Sequence, residues 1–432
     1  MATITHSTQP RIFYGWYIVV AATVASFLNS TVFVLGPGVF ILDIREHMGW
    51  SLSAISLGFS LRQLENGLMA PFAGYLIDRF GPRLMASIGI TIMSIGLLLF
   101  SVMNSLWMFY ISVTTIALGQ GMGSTLAYST SVMHWFVKKR GQAYSITTTG
   151  RASAYIGLLG VTWLLVSFGW RGATAIMAIS YFVINISLAQ LLRPRPQPYG
   201  YQPDGERSPV ADPADAETPT GKEKVVEEEG FGVKEAMRSL AFWMVLVTGA
   251  TYGFTGSIHQ LNQIPALRSG GLSATTAATV VAIFGGIQVV GRLVAGWTGD
   301  KIGRTGLYMM SFLFLSIGWL IFANIAQGKL WLLVPYLAVF GMGLSAYTSI
   351  SETVVADFFG VRRYATIRGT MNSLALGCTI LGPVFAGFMF DRFGNYYLAF
   401  VALSPIIALG APAIFIARRT LPKTAPAPAS AA

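Results

Sequence analysis

Two arginines lie inside long apolar segments of this sequence, Arg151 near the middle of its segment and Arg292 nearer the inner end. Arg292 falls in the apolar run 272–298, and Arg151 falls in the run 141–168. An arginine suits a carboxylate because its planar fork of N–H donors grips both oxygens and never loses its proton. If these runs cross a membrane, the charges are costly and mark a functional site by default. We expect both arginines to bind an anionic substrate, and pairing with an acid of the protein is the alternative for each.

Candidates for proton transfer lie in two other apolar runs. Glu65 and Arg62 are three residues apart in the run 51–77 and so share one face of a helix. A buried carboxyl beside an arginine can take up or release a proton when a substrate arrives, and a permanent pair with Arg62 is the alternative. His259, which precedes a polar stretch, is either a ligand that titrates near neutral pH or a packing residue with a hydrogen bond.

Weaker candidates are four neutral polar side chains inside apolar runs. We expect them to line a substrate cavity, although the asparagines can equally hydrogen-bond a neighbouring helix. They are Tyr128, Tyr347, Asn29 and Asn372. The sequence has no metal-ligand spacing, no phosphate-binding loop and no nucleophile elbow. It therefore predicts neither an enzyme nor a bound metal or cofactor, and transport would draw on an ion or substrate gradient.

The elements that carry these residues are apolar runs long enough to cross a bilayer, which takes about 20 residues. Hydrophobic residues make up 53% of the 432 residues and charged residues only 11%, a composition that excludes a water-soluble protein. The first run is too long for a signal peptide. Twelve spans are predicted: 14–37, 51–77, 84–103, 107–136, 141–168, 171–192, 240–266, 272–298, 304–326, 330–358, 364–390 and 396–417. Gly36-Pro37-Gly38 and Gly382-Pro383 are expected to interrupt two of them.

The distribution of Lys and Arg between the spans predicts the orientation, since cytoplasmic loops are the more basic. With the N-terminus inside, the inner segments carry thirteen of these residues: Arg11, Arg79, Arg83, Lys138, Lys139, Arg140, Lys301, Arg304, Arg362, Arg363, Arg418, Arg419 and Lys423. The outer loops carry five: Arg45, Arg171, Arg268, Lys329 and Arg392. Both termini are therefore expected in the cytoplasm. The net charge of +11 is a topology signal and does not indicate a nucleic-acid partner.

The chain divides into two similar halves. We expect a short segment 1–13, a six-helix bundle 14–192, a solvated linker 193–239 rich in Pro and acids, a second bundle 240–418 and a disordered tail 419–432. Gly74 to Arg83 follows span 2, and the similar Gly296 to Arg304 follows span 8, with an offset of 222 residues between their first residues. The aromatic and basic residues that end spans 4 and 10 repeat with an offset of 223 residues. An internal repeat explains both pairs.

The loop motif Gly-x-x-x-Asp-Arg-x-Gly-x-Arg after span 2 resembles the signature of the major facilitator superfamily. The resemblance implies an all-α membrane fold of two six-helix, pseudo-symmetric bundles around a central cavity, with alternating access. It also implies that Asp78 meets the start of span 11 near Arg362, Arg363 or Arg368. We expect a gate on this side that includes Asp78, Arg79, Arg83, Asp300, Arg304, Arg368 and Glu352. Simple flanking of a membrane helix is the alternative for Asp78 and Arg79.

A narrower resemblance is to the monocarboxylate transporter and oxalate–formate antiporter branch. It rests on Tyr14-Gly15-Trp16, on Trp135 to Ala143, and on Gly291-Arg292 in span 8. The branch implies that Arg292 binds substrate, and the superfamily fold implies that spans 5 and 8, which carry Arg151 and Arg292, face one another across the cavity. Gln288 stands where monocarboxylate transporters carry an Asp, and 364–390 lacks the span 11 Lys of the oxalate antiporter pattern.

These observations predict a secondary active transporter in the plasma (inner) membrane. Its expected substrate is a small organic anion, first of all a monocarboxylate, with a proton as the coupling ion and a monomer as the functional unit. The alternatives are an exporter of amphipathic or cationic compounds, and a receptor on a transporter fold.

The predicted topology can be tested by thiol labelling. Cysteines placed at Asn104 and Gly328, after Cys378 is replaced, should react with impermeant reagents from outside the cell because both loops are predicted to be external. Labelling of either position only from the cytoplasm would overturn the topology.

Overall fold

The computed structural model describes residues 13–123, 125–199, 201–205 and 230–421, and helices in this part of the chain occupy all twelve predicted spans. The N-terminal half comprises spans 1–6: Gly15–Asn29 with Ser30–Leu35 and Gly36–Met48, then Leu52–Phe80, Pro82–Ser101, Leu106–Gly123 with Thr125–Trp135, and Arg140–Gln190. The last helix holds spans 5 and 6, which are separated at Gly169, where φ is 64° and ψ is 172°.

The C-terminal half repeats the arrangement. Spans 7–12 are Leu240–Ser269, Ala274–Ile302, Arg304–Ile325, Leu330–Leu332 with Leu333–Phe359, Tyr364–Phe393, and Tyr397–Ala408 with Gly410–Arg419. Eight helical segments of the described chain are long and apolar enough to cross a membrane by length and composition. Span 2 is not among them, and it carries Arg62 and Glu65 within its length.

Span 1 differs from the prediction. The helix does not end at Gly36-Pro37-Gly38 but runs on to Met48, and its irregularity is a π-helical turn at Ser30–Leu35. A π-turn takes a carbonyl out of the regular α-helical pattern. The Arg62 Nη1 donates to the Phe33 carbonyl at 2.7 Å. One role of Arg62 is therefore to satisfy a backbone acceptor inside the N-terminal half.

The two halves have separate hydrophobic cores, and a few residues cross between them. Met133 and Tyr144 of the N-terminal half pack into the core of the C-terminal half. Ala365 of the C-terminal half packs into the core of the N-terminal half. These three residues lie near one membrane face, where Asp78 lies close to the end of span 2 and Asp300 close to the end of span 8. We call this face the aspartate side.

Glycines allow the halves to approach closely at the aspartate side. A Cβ on Gly74 of span 2 would lie 2.2 Å from the Ala365 carbonyl oxygen, and one on Gly369 of span 11 would lie 2.2 Å from the Ala70 carbonyl oxygen. A Cβ on Gly296 of span 8 would lie 2.1 Å from the Ser145 hydroxyl of span 5. We call these two contacts, of span 2 with span 11 and of span 5 with span 8, the seam. Small residues permit such close packing of membrane helices.

The predicted solvated linker is in part packed structure. Residues Gln197–Tyr199 and Pro203–Gly205 form short 3₁₀ turns, and Val233–Arg238 is a helix. Phe231 is buried in the C-terminal core, and its N–H donates to the Phe359 carbonyl at 2.9 Å. Residues 206–229 and most of the predicted disordered tail (422–432) lie outside the described residues. Both described ends of the linker are thus attached to the bundles, because aromatic side chains there bury apolar area.

Two glycines of span 11 test the seam. Gly369→Ala should destabilise the closed protein by about 1–3 kcal/mol, as overpacking does, and should lower the melting temperature in detergent. Gly377→Ala is the matched control, since a Cβ there meets no atom within 4 Å and alanine is the better helix former. Equal melting temperatures for the two variants would contradict close packing at Gly369.

Candidate functional site

Asp78 of span 2 binds the first turn of span 11 in the opposite half. Its carboxylate accepts from the N–H groups of Ala365 at 3.3 Å and Thr366 at 2.9 Å, and from the Thr366 hydroxyl at 2.5 Å. The Arg363 guanidinium lies within electrostatic reach. The first N–H groups of a helix have no partner within the helix and carry partial positive charge. Asp78 therefore supplies a charged cap to a helix of the other half.

Asp300 does the same in the reverse direction. Its carboxylate accepts from the N–H groups of Gly141 at 2.9 Å and Gln142 at 2.8 Å, in the first turn of span 5. It also accepts a hydrogen bond at 2.8 Å from Nε of Arg304, which lies four residues later at the start of span 9. The sequence repeat therefore corresponds to two helix caps in the structure. In each cap, a carboxylate of one half binds the first turn of a helix in the other half.

A charged network extends the second cap. Arg304 places Nη1 2.9 Å from both oxygens of Asp357, and Arg140 of the N-terminal half donates to Asp357 Oδ1 at 2.9 Å. Arg304 Nη2 donates to the carbonyls of Val137 and Lys138, both at 2.7 Å. All three charged side chains are largely buried. This arrangement suits arginine because its planar fork serves several acceptors at once.

Sequence reasoning did not assign Arg140 or Asp357 to the gate. Arg140 counted only as a basic residue of an inner segment, and Asp357 was given no role. The sequence did contain an indication of this role, since Asp357 is an acid close to the end of span 10, on the side that holds Arg304. An unpaired charge so close to the membrane core would be costly, which makes a cationic partner expected.

Two predicted gate arginines do not join the network. Arg83 donates to Gln190 Oε1 at 3.0 and 2.6 Å within its own half, and Arg79 donates to the Tyr75 hydroxyl at 2.9 Å on the same helix. Both are exposed. The repeat therefore conserves the caps but not the charged network around them, because position 82, which matches Arg304 at the offset of 222, holds a proline.

Glu352 and Arg368 form an ion pair between spans 10 and 11. Arg368 Nη2 lies 2.7 Å from Glu352 Oε1, and the Tyr364 hydroxyl donates to Glu352 Oε2 at 2.6 Å. Arg368 therefore does not meet Asp78, and Glu352 is engaged away from Arg292, contrary to two of the pairings considered from the sequence. Both carboxylate oxygens therefore have a partner, which offsets the cost of burying the pair.

Arg292 of span 8 reaches across the seam. Its Nη1 donates to the Thr148 carbonyl of span 5, and its Nη2 donates to Gln288 Oε1 at 3.0 Å. The side chain is 7% exposed. Eight residues separate it from Asp300, which is about 12 Å of helix. Arg292 is thus a buried cation that donates to neutral oxygens. It lies at the end of the seam that is farther from the aspartate side.

Arg151 has different surroundings. It is exposed, and within the described residues it makes no hydrogen bond or ion pair. Arg151 lies three residues after Thr148, whose carbonyl accepts from Arg292, and the Tyr252 hydroxyl lies within electrostatic range of both arginines. Tyr252 in turn stacks on Tyr347, with ring centroids 3.8 Å apart. The two arginines therefore come from opposite halves to one aromatic region, and Tyr347 belongs to it as well.

Tyr128 and Asn29 lie elsewhere, inside the N-terminal half. They line a cavity of about 10 Å³ together with Tyr181 and Asn185, enough for about one water molecule. Asn29 Nδ2 lies 3.5 Å from the Tyr181 hydroxyl, and the buried Tyr128 hydroxyl has no partner among the described residues. The geometry joins these two residues to each other and shows no contact with Arg292.

His259 is packed among aromatic side chains of the C-terminal half. Its Nε2 lies 2.6 Å from the Tyr336 hydroxyl, and its ring stacks on Phe340 at 4.5 Å. Among the described residues it contacts aromatic side chains of spans 8–10, which agrees with the packing alternative considered from the sequence. Asn372 of span 11, in contrast, is exposed.

Glu65 does not pair with Arg62 in this structure. Arg62 borders an apolar cavity of about 30 Å³ and donates to Phe33, whereas the half-buried Glu65 faces the Thr114 side chain of span 4. An acid without a fixed cation can bind a proton when its surroundings change. In the part of the chain that the structure describes, no three His, Cys, Asp or Glu residues come together as metal ligands would.

Comparisons with known proteins agree with this geometry. The sequence profile of the Major Facilitator Superfamily matches residues 19–266 and 259–432. The chain belongs to the Major Facilitator Superfamily. Among solved structures, a double-tryptophan mutant of XylE aligns with a TM-score of 0.68 at 15% identity, over 96% of this chain and 98% of that one. The human organic anion transporter MFSD10 aligns with a TM-score of 0.63 at 14% identity, over 94% and 100%. Both show the fold.

Two curated relatives align over most of their length. Monocarboxylate transporter 12 of Xenopus laevis is 25% identical over 421 residues, covering 92% of this chain and 87% of its own. The oxalate:formate antiporter of Oxalobacter formigenes is 23% identical over 380 residues, covering 88% and 86%. This superfamily member is a transporter with two six-helix halves and not an enzyme.

Asp78→Asn tests the cap between spans 2 and 11. The variant keeps an acceptor oxygen but loses the charge, and loss of a cap costs about 0.5–2 kcal/mol. Substrate affinity should persist while transport slows by up to about tenfold, measured as equilibrium binding and exchange rate in proteoliposomes. Unaltered exchange together with unaltered thiol accessibility at the aspartate side would show that Asp78 has no part in closing it.

Proposed function

We propose that this transporter carries a small monocarboxylate by alternating access, with a proton as the coupling ion. The observation that supports it is the placement of two arginines from opposite halves, since Arg292 donates to the Thr148 carbonyl of span 5, three residues before Arg151. An intramembrane cation that meets no acid of the protein marks a place for an anion from outside. Among the described residues, Arg151 fits that condition.

The relatives support a carboxylate. Two that align along most of this chain are named for monocarboxylates and for oxalate and formate. All these anions present a planar carboxylate, which the fork of an arginine binds with two parallel hydrogen bonds. Gln288, which accepts a hydrogen bond from Arg292, is neutral and adds no negative charge beside it.

The proposed cycle begins with the aspartate side closed, as in this structure. A carboxylate that enters from the opposite side meets the exposed Arg151 first. It then competes with the Thr148 carbonyl for Arg292. A charged carboxylate is a stronger acceptor than a neutral carbonyl, so Arg292 can exchange its bond across the seam for one to the substrate. Substrate binding thereby weakens the seam at the end that holds Arg292, and it draws Arg151 and Arg292 together.

We assign proton coupling to Glu65, which lies in span 2 beside the seam partner span 11. It faces Thr114 and has no ion pair among the described residues. The aspartate side is proposed to be cytoplasmic because the basic loops lie there. The protein would then reside in the plasma (inner) membrane with both described ends inside.

Uptake into proteoliposomes tests the function. Labelled lactate, pyruvate, other hydroxyacids and oxalate are offered with and without an inward proton gradient. We expect saturable uptake of a monocarboxylate that accumulates only with the gradient, and Glu65→Gln should retain exchange but lose accumulation. Transport of none of these anions by protein that is folded and reconstituted would reject the proposal.

Arg292→Lys is the sharpest variant for the substrate site. It keeps the charge but loses the planar fork, and a hydrogen bond to a charged group contributes about 1.5–3 kcal/mol. The substrate dissociation constant should rise about tenfold or more, measured by calorimetry or by concentration dependence of uptake. Arg268→Lys, an exposed arginine at the end of span 7, is the matched control. Equal affinities in both variants would place the carboxylate site elsewhere.

Replacing Arg292 and Glu352 together distinguishes substrate binding from a structural charge pair. If the two neutralised each other, the second neutral substitution would rescue the first. Since Glu352 binds Arg368 and Tyr364 in this structure, we expect no rescue. Normal transport by the double variant would show that Arg292 does not bind the carboxylate.

A further inference from the structure

The loop between spans 4 and 5 is held from two sides. On one side Arg304 of the C-terminal half donates to the carbonyls of Val137 and Lys138. On the other side Asp204, in the first part of the linker, accepts from the N–H groups of residues 137–139 at 2.9, 2.8 and 3.0 Å. Successive N–H groups that converge in this way form a concave site for an anion.

Asp204 and Arg304 bind the same two peptide groups. The carbonyl of Val137 and the N–H of Lys138 belong to one planar amide, and the carbonyl of Lys138 and the N–H of Lys139 belong to the next. Each amide therefore donates to the Asp204 carboxylate and accepts from the Arg304 guanidinium. Hydrogen bonds in a chain polarise one another, so a carboxylate on the N–H strengthens the carbonyl as an acceptor.

The segment that carries Asp204 is anchored to the N-terminal half. Tyr201 packs on Trp135 with ring centroids 5.8 Å apart, and on Phe13 at 5.9 Å. A Cβ on Gly205 would lie 2.9 Å from the Phe13 ring, so the turn fits closely there. Asp204 itself adopts a φ of 61°, the only positive φ of a residue other than glycine in the described chain. Such a conformation persists only where its surroundings hold it.

We propose that Asp204 is a positioning residue for the closed seam, acting through two peptide groups on Arg304. When Asp204 is in place, the carbonyls of Val137 and Lys138 are fixed and polarised toward Arg304, which favours closure of the aspartate side. When the linker segment withdraws, the loop loses its anionic partner and the closed state weakens. The linker thereby regulates how readily the transporter opens on this side. The inference rests on the proposed opening of the seam during transport, but not on the identity of the substrate.

Distance measurements between spin labels test this without any substrate. Labels are placed at Leu84→Cys and Ile302→Cys, on opposite halves near the aspartate side, in protein with Cys378→Ser. Both positions are exposed, at 51% and 82%. Asp204→Asn and Asp204→Ala should each raise the ratio of long to short distances about threefold or more, because charged hydrogen bonds are lost. Glu235→Gln is the control, since Glu235 caps the N–H of Gly232 at the other end of the linker.

A second comparison separates positioning from a general loss of stability. Arg304→Lys keeps the charge but loses the fork that reaches both carbonyls. If Asp204 acts through Arg304, adding Asp204→Asn to Arg304→Lys should change the ratio less than about twofold. An unchanged ratio in both single Asp204 variants, in monodisperse protein with native helical content, would overturn the proposal. A full additional effect in the Arg304→Lys background would overturn it too. Failure of monocarboxylate uptake with the expected distance shift would reject only the proposed substrate.

Discussion

Closure of the aspartate side depends on one interaction used twice: a carboxylate of one half binds the first turn of a helix in the other half. Asp78 binds the start of span 11, and Asp300 binds the start of span 5. Helix N-termini present N–H groups that nothing within the helix can satisfy. A cap of this kind contributes about 0.5–2 kcal/mol. A contribution of this size helps to fix the register between the halves, and under the proposed alternating access it is small enough to be broken and re-formed.

The two caps have unequal support. Around Asp300, Arg304 and Asp357 form a network that recruits Arg140 from the other half. Around Asp78 the support is the close approach of Gly74 and Gly369 to backbone atoms of the opposing helix. A buried ion network is costly to leave half satisfied, whereas a backbone contact is lost gradually as helices part. The symmetry of the sequence repeat therefore does not extend to the energetics of the seam.

The charged side chains inside the membrane spans differ in what offsets the cost of their burial. Glu352 is neutralised by Arg368, and Arg292 is held by neutral oxygens across the two halves. Arg151 is left exposed. The cost of a charge in a membrane falls when it finds a partner or water. The proposed function assigns these residues different roles: a structural pair, a cation whose bonds a stronger acceptor can replace, and a cation open to an incoming anion.

The number and placement of the helices were predictable from the sequence because bilayer thickness sets the length of an apolar span, whatever its neighbours. The same holds for the repeat that carries Asp78 and Asp300. Span 1 was one exception, since a π-turn and a helix that continues to Met48 leave no mark in hydropathy. Span 11 was another, because its helix Tyr364–Phe393 runs through Gly382-Pro383, where an interruption was expected.

Only the tertiary structure decided the partners. It pairs Glu352 with Arg368, gives Arg62 a backbone carbonyl and buries His259 in an aromatic core. A membrane helix is apolar on the face toward lipid and on the face toward protein, so its hydrophobic pattern says little about its rotation. Partners such as Asp204 and the loop at 137–139, or Arg140 and Asp357, are far apart in sequence. Their meeting depends on helix rotation and on the path of the linker, and both are set by packing between the halves.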